Sequence, residues 1–299
     1  MRIGFVGIGN MGAPMVRCLA QAGWALNIFD SSSEALAPFR QAGADISIAR
    51  GLEDVGADAD LVITMLPSGT EVRQVMLGDG ANSGVVHGMK PGSLVVDMSS
   101  SYPLQTRQLG TDLNARDIGL IDAPVSGGVP RAESGTLTIM AGGEKELVDR
   151  AEPALAAMGT IYRTGPLGSG HAMKVLNNYL SASGLEAACE AVLVGERFGL
   201  DPDVMADILN TSTGRNNATD LKLKQHVNNR RFATGFALGL MSKDVAMAHK
   251  LARDLDVNAP GLRTIDEVYQ RALVQLGTSS DHSEIFSYLE ATSGKSPND

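Results

Sequence analysis

Short apolar runs alternate with helix-periodic segments through the first half of the chain. The apolar runs are Ile3–Val6, Ala25–Phe29, Leu61–Leu66, Leu94–Asp97, Leu120–Ala123 and Thr136–Ala141. Between them, apolar residues recur at i, i+3 and i+4, which is the pattern of an amphipathic helix. Strands that alternate with helices are typical of βαβ units. The pattern therefore predicts an α/β fold in which helices cover both faces of a mainly parallel, doubly wound sheet.

The second half of the chain has a different pattern, rich in Ala, Leu, Met and Glu. Its helix-periodic segments are residues 173–199, 202–212, 242–255 and 262–276. Between the halves lies Gly165–Gly170, which is rich in glycine and proline, and we interpret Gly168-Ser169-Gly170 as a hinge. We therefore predict an α/β domain over 1–165 and an all-helical domain over 166–299.

A glycine-rich turn follows the first predicted strand directly and opens a helical segment. Its residues are Gly7, Ile8, Gly9, Asn10, Met11 and Gly12. Gly7 permits a tight turn, Gly9 lets the backbone approach a pyrophosphate, and Gly12 allows close packing of helix on strand. This order of strand, turn and helix is typical of a Rossmann dinucleotide-binding domain, with the phosphates at the helix N-terminus. The alternative is that these glycines only build a turn.

The second predicted strand ends at Asp30, where a carboxylate can accept hydrogen bonds from the adenosine ribose. Asp30 would also repel a 2′-phosphate, and the following Ser31-Ser32-Ser33 supplies no arginine to bind one. NAD is therefore predicted as the cofactor, with NADP less favoured. A carboxylate that only caps the next helix is the alternative.

Two further loops follow predicted strands and are candidates for the same cleft. They are Met65-Leu66-Pro67, and Ser100 in the segment Asp97-Met98-Ser99-Ser100. Ligands of open parallel sheets bind beyond the carboxyl ends of the strands, near the point where the strand order reverses. Plain connecting loops are an equally good interpretation of these two segments.

The candidate chemistry lies at two places later in the chain. Ser126, Gly127 and Gly128 can direct a hydroxyl and backbone N–H groups at a small anion such as a carboxylate. Lys174 and Asn178 are spaced i, i+4 and share one face of a predicted helix. Taken alone, the first motif is more often a loop and the lysine more often a solvated surface residue.

Composition limits the partners of the protein. The 299 residues carry a formal charge of −9 and are 43% hydrophobic, so neither general disorder nor nucleic-acid binding is expected. No apolar run is long enough to span a membrane, and the five histidines show no metal-ligand spacing. Cys18 and Cys189 lie in apolar helical patterns, which favours reduced thiols and a cytoplasmic location.

Taken together, these motifs resemble the β-hydroxyacid dehydrogenase family. The matching segments are Gly7–Met15, Gly92–Pro103, Asp122–Gly128 with Ala132 and Gly135-Thr136-Leu137, Gly168–Asn178 and Lys243-Asp244. The resemblance implies an NAD-dependent oxidoreductase that interconverts a small β-hydroxy acid and its semialdehyde, of the 3-hydroxyisobutyrate or tartronate semialdehyde type. It implies that Lys174 is the catalytic acid or base, that Ser126, Gly127, Gly128 and Asn178 bind the substrate, and that Lys243 closes over the cofactor.

The chain departs from the family pattern at positions that bear on the substrate. Ser100 stands where threonine is common and keeps the hydroxyl, whereas Arg131 stands where glycine is common. An arginine turned into the cleft could pair with a carboxylate, sulfonate or phosphate; turned outward, it is a surface charge. Residues 213–219 are polar, which makes a more polar substrate than hydroxyisobutyrate plausible.

Alternatives to this function remain open. A reductase of sulfonated or phosphorylated aldehydes, or of imines, would use the same scaffold, although Lys174 disfavours the imine version. A non-catalytic NAD-sensing protein is an alternative of another class. The helix that follows Lys174 has more apolar positions than one domain face needs, so a homodimer or homotetramer is expected.

Overall fold

The structure, a computed structural model, describes residues 1–40, 45–80 and 82–294. Residues 41–44, 81 and 295–299 lie outside the described residues, and the last of these belong to the predicted helical domain 166–299. The chain divides into two units, Met1–Lys174 and Val175–Asp299.

The first unit alternates strands with helices, as the hydrophobic pattern predicts. In chain order its elements are β1 (Arg2–Val6), α1 (Gly12–Gln21), β2 (Ala25–Phe29), α2 (Ser33–Leu36), β3 (Ile46–Ile48), α3 (Leu52–Gly56), β4 (Leu61–Thr64), α4 (Gly69–Leu77), β5 (Leu94–Asp97), α5 (Pro103–Asn114), β6 (Gly119–Asp122), β7 (Val125–Ser126), α6 (Gly128–Glu133), β8 (Leu137–Gly142), α7 (Lys145–Leu155) and β9 (Gly159–Gly165). Short 3₁₀ turns follow α2 and α4, at Ala37–Phe39 and Val85–His87.

Within the described residues the strands form one sheet in the order β3-β2-β1-β4-β5-β6-β8-β7, with β9 paired to β8. The strands from β3 to β6 are parallel, β8 runs antiparallel to β6 and β7, and β9 is parallel to β8. The order reverses between β1 and β4, which is the ligand-binding switch point of a Rossmann sheet. The predicted doubly wound sheet is confirmed.

Apolar side chains cover both faces of this sheet. On β1, Ile3 and Phe5 belong to one buried cluster and Val6 to another, and β4 divides in the same way, Leu61 and Ile63 against Val62. Successive side chains of a strand point to opposite faces, so continuous apolar runs produce a core on each side. This is why the runs are unbroken and do not alternate with polar residues.

The described part of the second unit consists of helices joined by loops, with one isolated β-bridge between Ala237 and Asp281, in agreement with the predicted all-helical domain. The 30-residue helix α8 (Ser169–Phe198) begins in the first unit, and α9 (Pro202–Asn210), α10 (Asn217–Leu221), α11 (Leu238–Asp254), α12 (Pro260–Leu276) and α13 (Ile285–Thr292) follow. A π-helical turn at Leu223–Val227 and a 3₁₀ turn at His282–Glu284 complete it. None of the described helices is both long and apolar enough to cross a membrane.

The interpretation of Gly168-Ser169-Gly170 as a hinge is wrong. Only Gly168 has a left-handed backbone, with φ +88°, and α8 begins at the next residue. Gly170 lies inside the first turn of α8, where a Cβ would stand 2.1 Å from the Met140 carbonyl oxygen. This glycine therefore serves close packing of the helix on β8, and the division between the two units falls inside α8, after Lys174.

Candidate active site

The glycine-rich turn after β1 contains two kinds of glycine. Gly7 has φ +99°, and a Cβ there would stand 2.2 Å from the Met65 carbonyl oxygen; at Gly12 it would stand 1.8 Å from the Gly7 carbonyl oxygen. These two glycines are required by the packing of the turn. A Cβ on Gly9 would meet no protein atom within 4 Å, so the protein itself does not require glycine there. The open space beside Gly9 leaves room for a ligand to approach the backbone, as the pyrophosphate of a dinucleotide does in a Rossmann domain.

Asp30, just after β2, is joined to the glycine-rich turn. Its Oδ2 accepts a hydrogen bond from the Ile8 N–H at 2.7 Å, and its Oδ1 accepts one from the Ser32 N–H at 2.7 Å. Each carboxylate oxygen can accept two hydrogen bonds, so both retain acceptor capacity for ribose hydroxyls. The structure thus brings together the two parts of the sequence-predicted nucleotide site at the carboxyl ends of β1 and β2.

The two remaining candidate loops lie together at the carboxyl ends of β4 and β5. Leu66 donates its backbone N–H to Ser99 Oγ at 2.9 Å. Asp97 fastens the second loop, because its carboxylate accepts bonds from the Ser99 N–H (3.0 Å) and the Ser101 hydroxyl (2.8 Å). Ser100 is therefore held between two anchored neighbours. Met65 and Pro67 flank Leu66 in the other loop.

The candidate substrate loop runs from the end of β7 into α6. Gly127 and Gly128 have φ values of +135° and +65°, a backbone that ordinary residues rarely adopt. The exposed side chain of Arg131 packs against Gly127, where a Cβ would stand 2.5 Å from Arg131 Cδ. Arg131 is therefore exposed, and its side chain lies against the loop. Its aliphatic stem covers Gly127, a candidate substrate residue next to Ser126.

Lys174 lies in the second turn of α8 and is only 8% exposed, so the interpretation as a solvated surface lysine is wrong. Asn178 follows one turn later on the same helix and is also buried. The Asn178 amide donates to Asp244 Oδ2 at 2.6 Å, and Asn177 Nδ2 donates to Asn178 Oδ1 at 3.2 Å. The amide of Asn178 is therefore held in one orientation.

Lys243 precedes Asp244 on α11, and its Nζ lies 3.6 Å from Asp244 Oδ1. Asp244 is buried, and its two carboxylate oxygens lie beside Lys243 and Asn178. It therefore connects these two residues inside the second unit. The sequence motif Lys243-Asp244 contains this carboxylate, but the family resemblance implies a role for the lysine alone. Asp244 and Asn178 lie 66 positions apart, so the sequence does not indicate their contact.

A buried polar cluster beneath the loops was also missed. Asp97, Asp122 and His171 are all buried at the carboxyl ends of β5 and β6 and the start of α8. Burial raises the pKa of the Asp122 carboxyl, and the neighbouring His171 opposes that rise. Among the described residues no group of three His, Cys, Asp or Glu side chains is arranged to hold a metal ion.

Two family models match the chain. Residues 2–168 match the NAD binding domain of 6-phosphogluconate dehydrogenase, and residues 168–289 match a model described as NAD-binding of NADP-dependent 3-hydroxyisobutyrate dehydrogenase. The chain belongs to the β-hydroxyacid dehydrogenase family. It is accordingly an oxidoreductase with a nicotinamide-dinucleotide-binding domain, as the sequence motifs predict.

Individual relatives match over nearly their whole length. An NAD-dependent L-serine dehydrogenase of Pseudomonas aeruginosa is 35% identical over 98% of this chain and 99% of that protein. A 3-sulfolactaldehyde reductase of Escherichia coli is 34% identical, over 98% of this chain and 97% of that protein. A 3-hydroxyisobutyrate dehydrogenase structure from Mycobacterium tuberculosis, with L-serine, has a TM-score of 0.88 at 31% identity and covers 97% of this chain and 99% of that one.

Proposed function

We propose that this protein is an NAD-dependent dehydrogenase that interconverts a small β-hydroxy acid and its semialdehyde, of the 3-hydroxyisobutyrate or tartronate semialdehyde type. The observation that carries the proposal is the burial of Lys174 on the helix that presents Asn178 one turn later. A buried amine near a fixed amide suits proton transfer at a carbonyl oxygen better than it suits a structural role. The names of the relatives support the substrate class.

In the proposed chemistry, the bound nicotinamide supplies or accepts the hydride. Lys174 Nζ donates a proton to the carbonyl oxygen during reduction and stabilises the negative charge that develops there. In the direction of oxidation, the neutral amine takes the hydroxyl proton. Asn178, whose amide orientation is set by Asp244, positions the lysine or the substrate hydroxyl.

We assign the substrate carboxylate to the loop of Ser126, Gly127 and Gly128, because a hydroxyl and adjacent backbone N–H groups bind small anions. We assign the cofactor to Gly7–Gly12, Met65–Pro67, Ser100 and Lys243. Asp30 favours NAD over NADP, since a carboxylate accepts ribose hydroxyls and repels a 2′-phosphate.

A screen of NADH oxidation tests the proposal. Purified protein is mixed with glyoxylate-sized aldehydes and with C3 and C4 semialdehydes, sulfonated ones included, and absorbance is followed. We expect turnover of at least one carboxylated semialdehyde, and reduction of NAD by the matching hydroxy acid. NADH binding without turnover of any member would contradict the proposal and favour a non-catalytic sensor.

A second candidate, a reductase of sulfonated or phosphorylated aldehydes, is favoured by the position of Arg131. Its exposed side chain packs against Gly127, and a guanidinium pairs with sulfonates and phosphates as well as with carboxylates. The comparison is the kcat/KM ratio of a sulfonated to a carboxylated aldehyde in the wild type and in Arg131→Gln. A ratio that falls about tenfold or more in the variant would favour this candidate; an unchanged ratio would remove Arg131 from specificity.

We further infer that the chain forms a homodimer or homotetramer. On α8, Val194 is 70% exposed and Phe198 is 84% exposed, and the apolar side chains of Leu200 and Met205 lie beside them around one shallow groove. A contiguous apolar surface of this kind usually marks a protein interface. Light scattering of a dilute solution should give a mass above the monomer; a monomeric mass would contradict the inference.

A further inference from the structure

His171 occupies a closed polar site in the first turn of α8. Its side chain is 0% exposed and meets groups from three other segments of the first unit. Nδ1 lies 2.8 Å from Thr106 Oγ1 on α5, and Nε2 lies 3.0 Å from the Ser99 carbonyl oxygen. Two carboxylates flank the ring, with Asp97 Oδ2 3.6 Å from Nε2 and Asp122 Oδ2 3.7 Å from Nδ1.

Both ring nitrogens of His171 have a hydrogen-bond partner. A carbonyl oxygen only accepts, so Nε2 carries a proton and donates it to Ser99. Thr106 Oγ1 also lies 3.2 Å from the Tyr102 carbonyl oxygen. That carbonyl already accepts the Thr106 backbone N–H at 3.1 Å, so the Thr106 hydroxyl can donate to Nδ1. The ring cannot turn without losing one of these contacts.

The two carboxylates beside the ring are held by further hydrogen bonds. Both oxygens of Asp122 accept backbone bonds at 2.7 Å, Oδ1 from Gly168 and Oδ2 from His171 itself. Asp97 accepts from Thr64, Ser99 and Ser101. The ring therefore packs between two side chains whose own positions are fixed.

These contacts connect three parts of the candidate active site. Asp97 leads into the loop of Ser100, Asp122 leads into the loop of Ser126, and His171 lies three residues before Lys174 on α8. We propose that His171 is a positioning residue, whose buried ring holds the ends of β5 and β6 against the first turn of α8 and so fixes Lys174. The inference rests on the proposed role of Lys174. His171 itself does not exchange a proton with substrate.

The positioning role is tested by kinetics. In His171→Gln we expect kcat to fall on the order of 10²-fold, as misplacement of a catalytic group does, with KM changed much less. The isotope effect with 4-deuterated NADH should rise, because proton and hydride transfer become slower than product release. The matched control is His87→Gln, on an exposed turn of the same unit, which should behave as the wild type. Wild-type kcat in His171→Gln would overturn the positioning role, whereas failure of the wild type to reduce any aldehyde would overturn the proposed function.

A second variant keeps the proposal testable if His171→Gln fails to fold. Thr106→Val removes only the hydroxyl that lies 2.8 Å from Nδ1 and leaves the imidazole in place. We expect Thr106→Val to lower kcat in the same direction as His171→Gln but by a smaller factor, with KM changed much less. A wild-type kcat in Thr106→Val would then overturn the proposal.

Discussion

Gly9 separates the requirements of the fold from those of the cofactor. A methyl group added there meets no protein atom within 4 Å, whereas a methyl group on Gly12 would stand 1.8 Å from the Gly7 carbonyl oxygen. Gly9→Ala should therefore change the free energy of unfolding by no more than about 1 kcal/mol, and in the stabilising direction if at all. Gly12→Ala should cost about 3 kcal/mol or more, because backbone must move.

Gly9→Ala should weaken the binding of NADH even though it leaves the free energy of unfolding nearly unchanged. If a pyrophosphate approaches the backbone at Gly9, the added methyl group occupies that space, and the dissociation constant of NADH should rise about tenfold or more, which is about 1.4 kcal/mol. Fluorescence titration of NADH and calorimetric unfolding of the apoprotein measure the two effects. The matched control is Gly51→Ala, because a Cβ there also meets nothing within 4 Å and lies outside the candidate site. Unchanged NADH affinity in a folded Gly9→Ala would refute the assignment of this turn to the cofactor.

Three further predictions concern cofactor choice, pH dependence and assembly. Asp30→Asn should narrow the kcat/KM preference for NADH over NADPH about tenfold or more, and an unchanged ratio would remove Asp30 from the ribose site. Burial and the neighbouring Glu190 raise the pKa of Glu186 from 4.5 to about 7, so its contribution to stability is present below pH 4.5 and lost as the pH rises through 7. Glu186→Gln should therefore stabilise the protein by up to about 3 kcal/mol at pH 9 and hardly at pH 5, and a pH-independent effect in thermal unfolding would contradict this. Phe198→Asp should lower the mass seen by light scattering, and an unchanged oligomer would place the interface elsewhere.

The strands that the sequence predicted well are those buried on both faces. For β2 (Ala25–Phe29) and β5 (Leu94–Asp97) the predicted and observed bounds agree, because an unbroken apolar run must be buried inside the sheet. Three strands were missed. β3 has three residues, β7 has two, and β9 (Gly159–Gly165) is largely exposed and includes Arg163 and two threonines. Such edge segments lack the apolar run on which the prediction depends.

The parts of the candidate site that lie within one short segment could be predicted from the sequence. The parts that the fold brings together from distant segments could not. The turn of Gly7–Gly12 and the pair Lys174 and Asn178 are each contained in one short segment. Spacing alone indicates the role of the turn, whereas the roles of Lys174 and Asn178 follow from the resemblance of their segment to a family motif. The contact between His171 and Asp122 joins residues 49 positions apart. Each of them alone is an ordinary polar residue beside a strand or helix end, and only the fold brings their charges together.

In the proposed reaction Lys174 transfers the proton that accompanies hydride transfer, and the rate of NADH oxidation in a single turnover measures this step. The comparison is between the wild type and Lys174→Ala, with the semialdehyde that the screen shows to react fastest and with NADH binding measured in parallel. We expect Lys174→Ala to bind NADH as the wild type does but to oxidise it about 10²- to 10⁴-fold more slowly. A single-turnover rate close to that of the wild type would show that Lys174 does not transfer this proton.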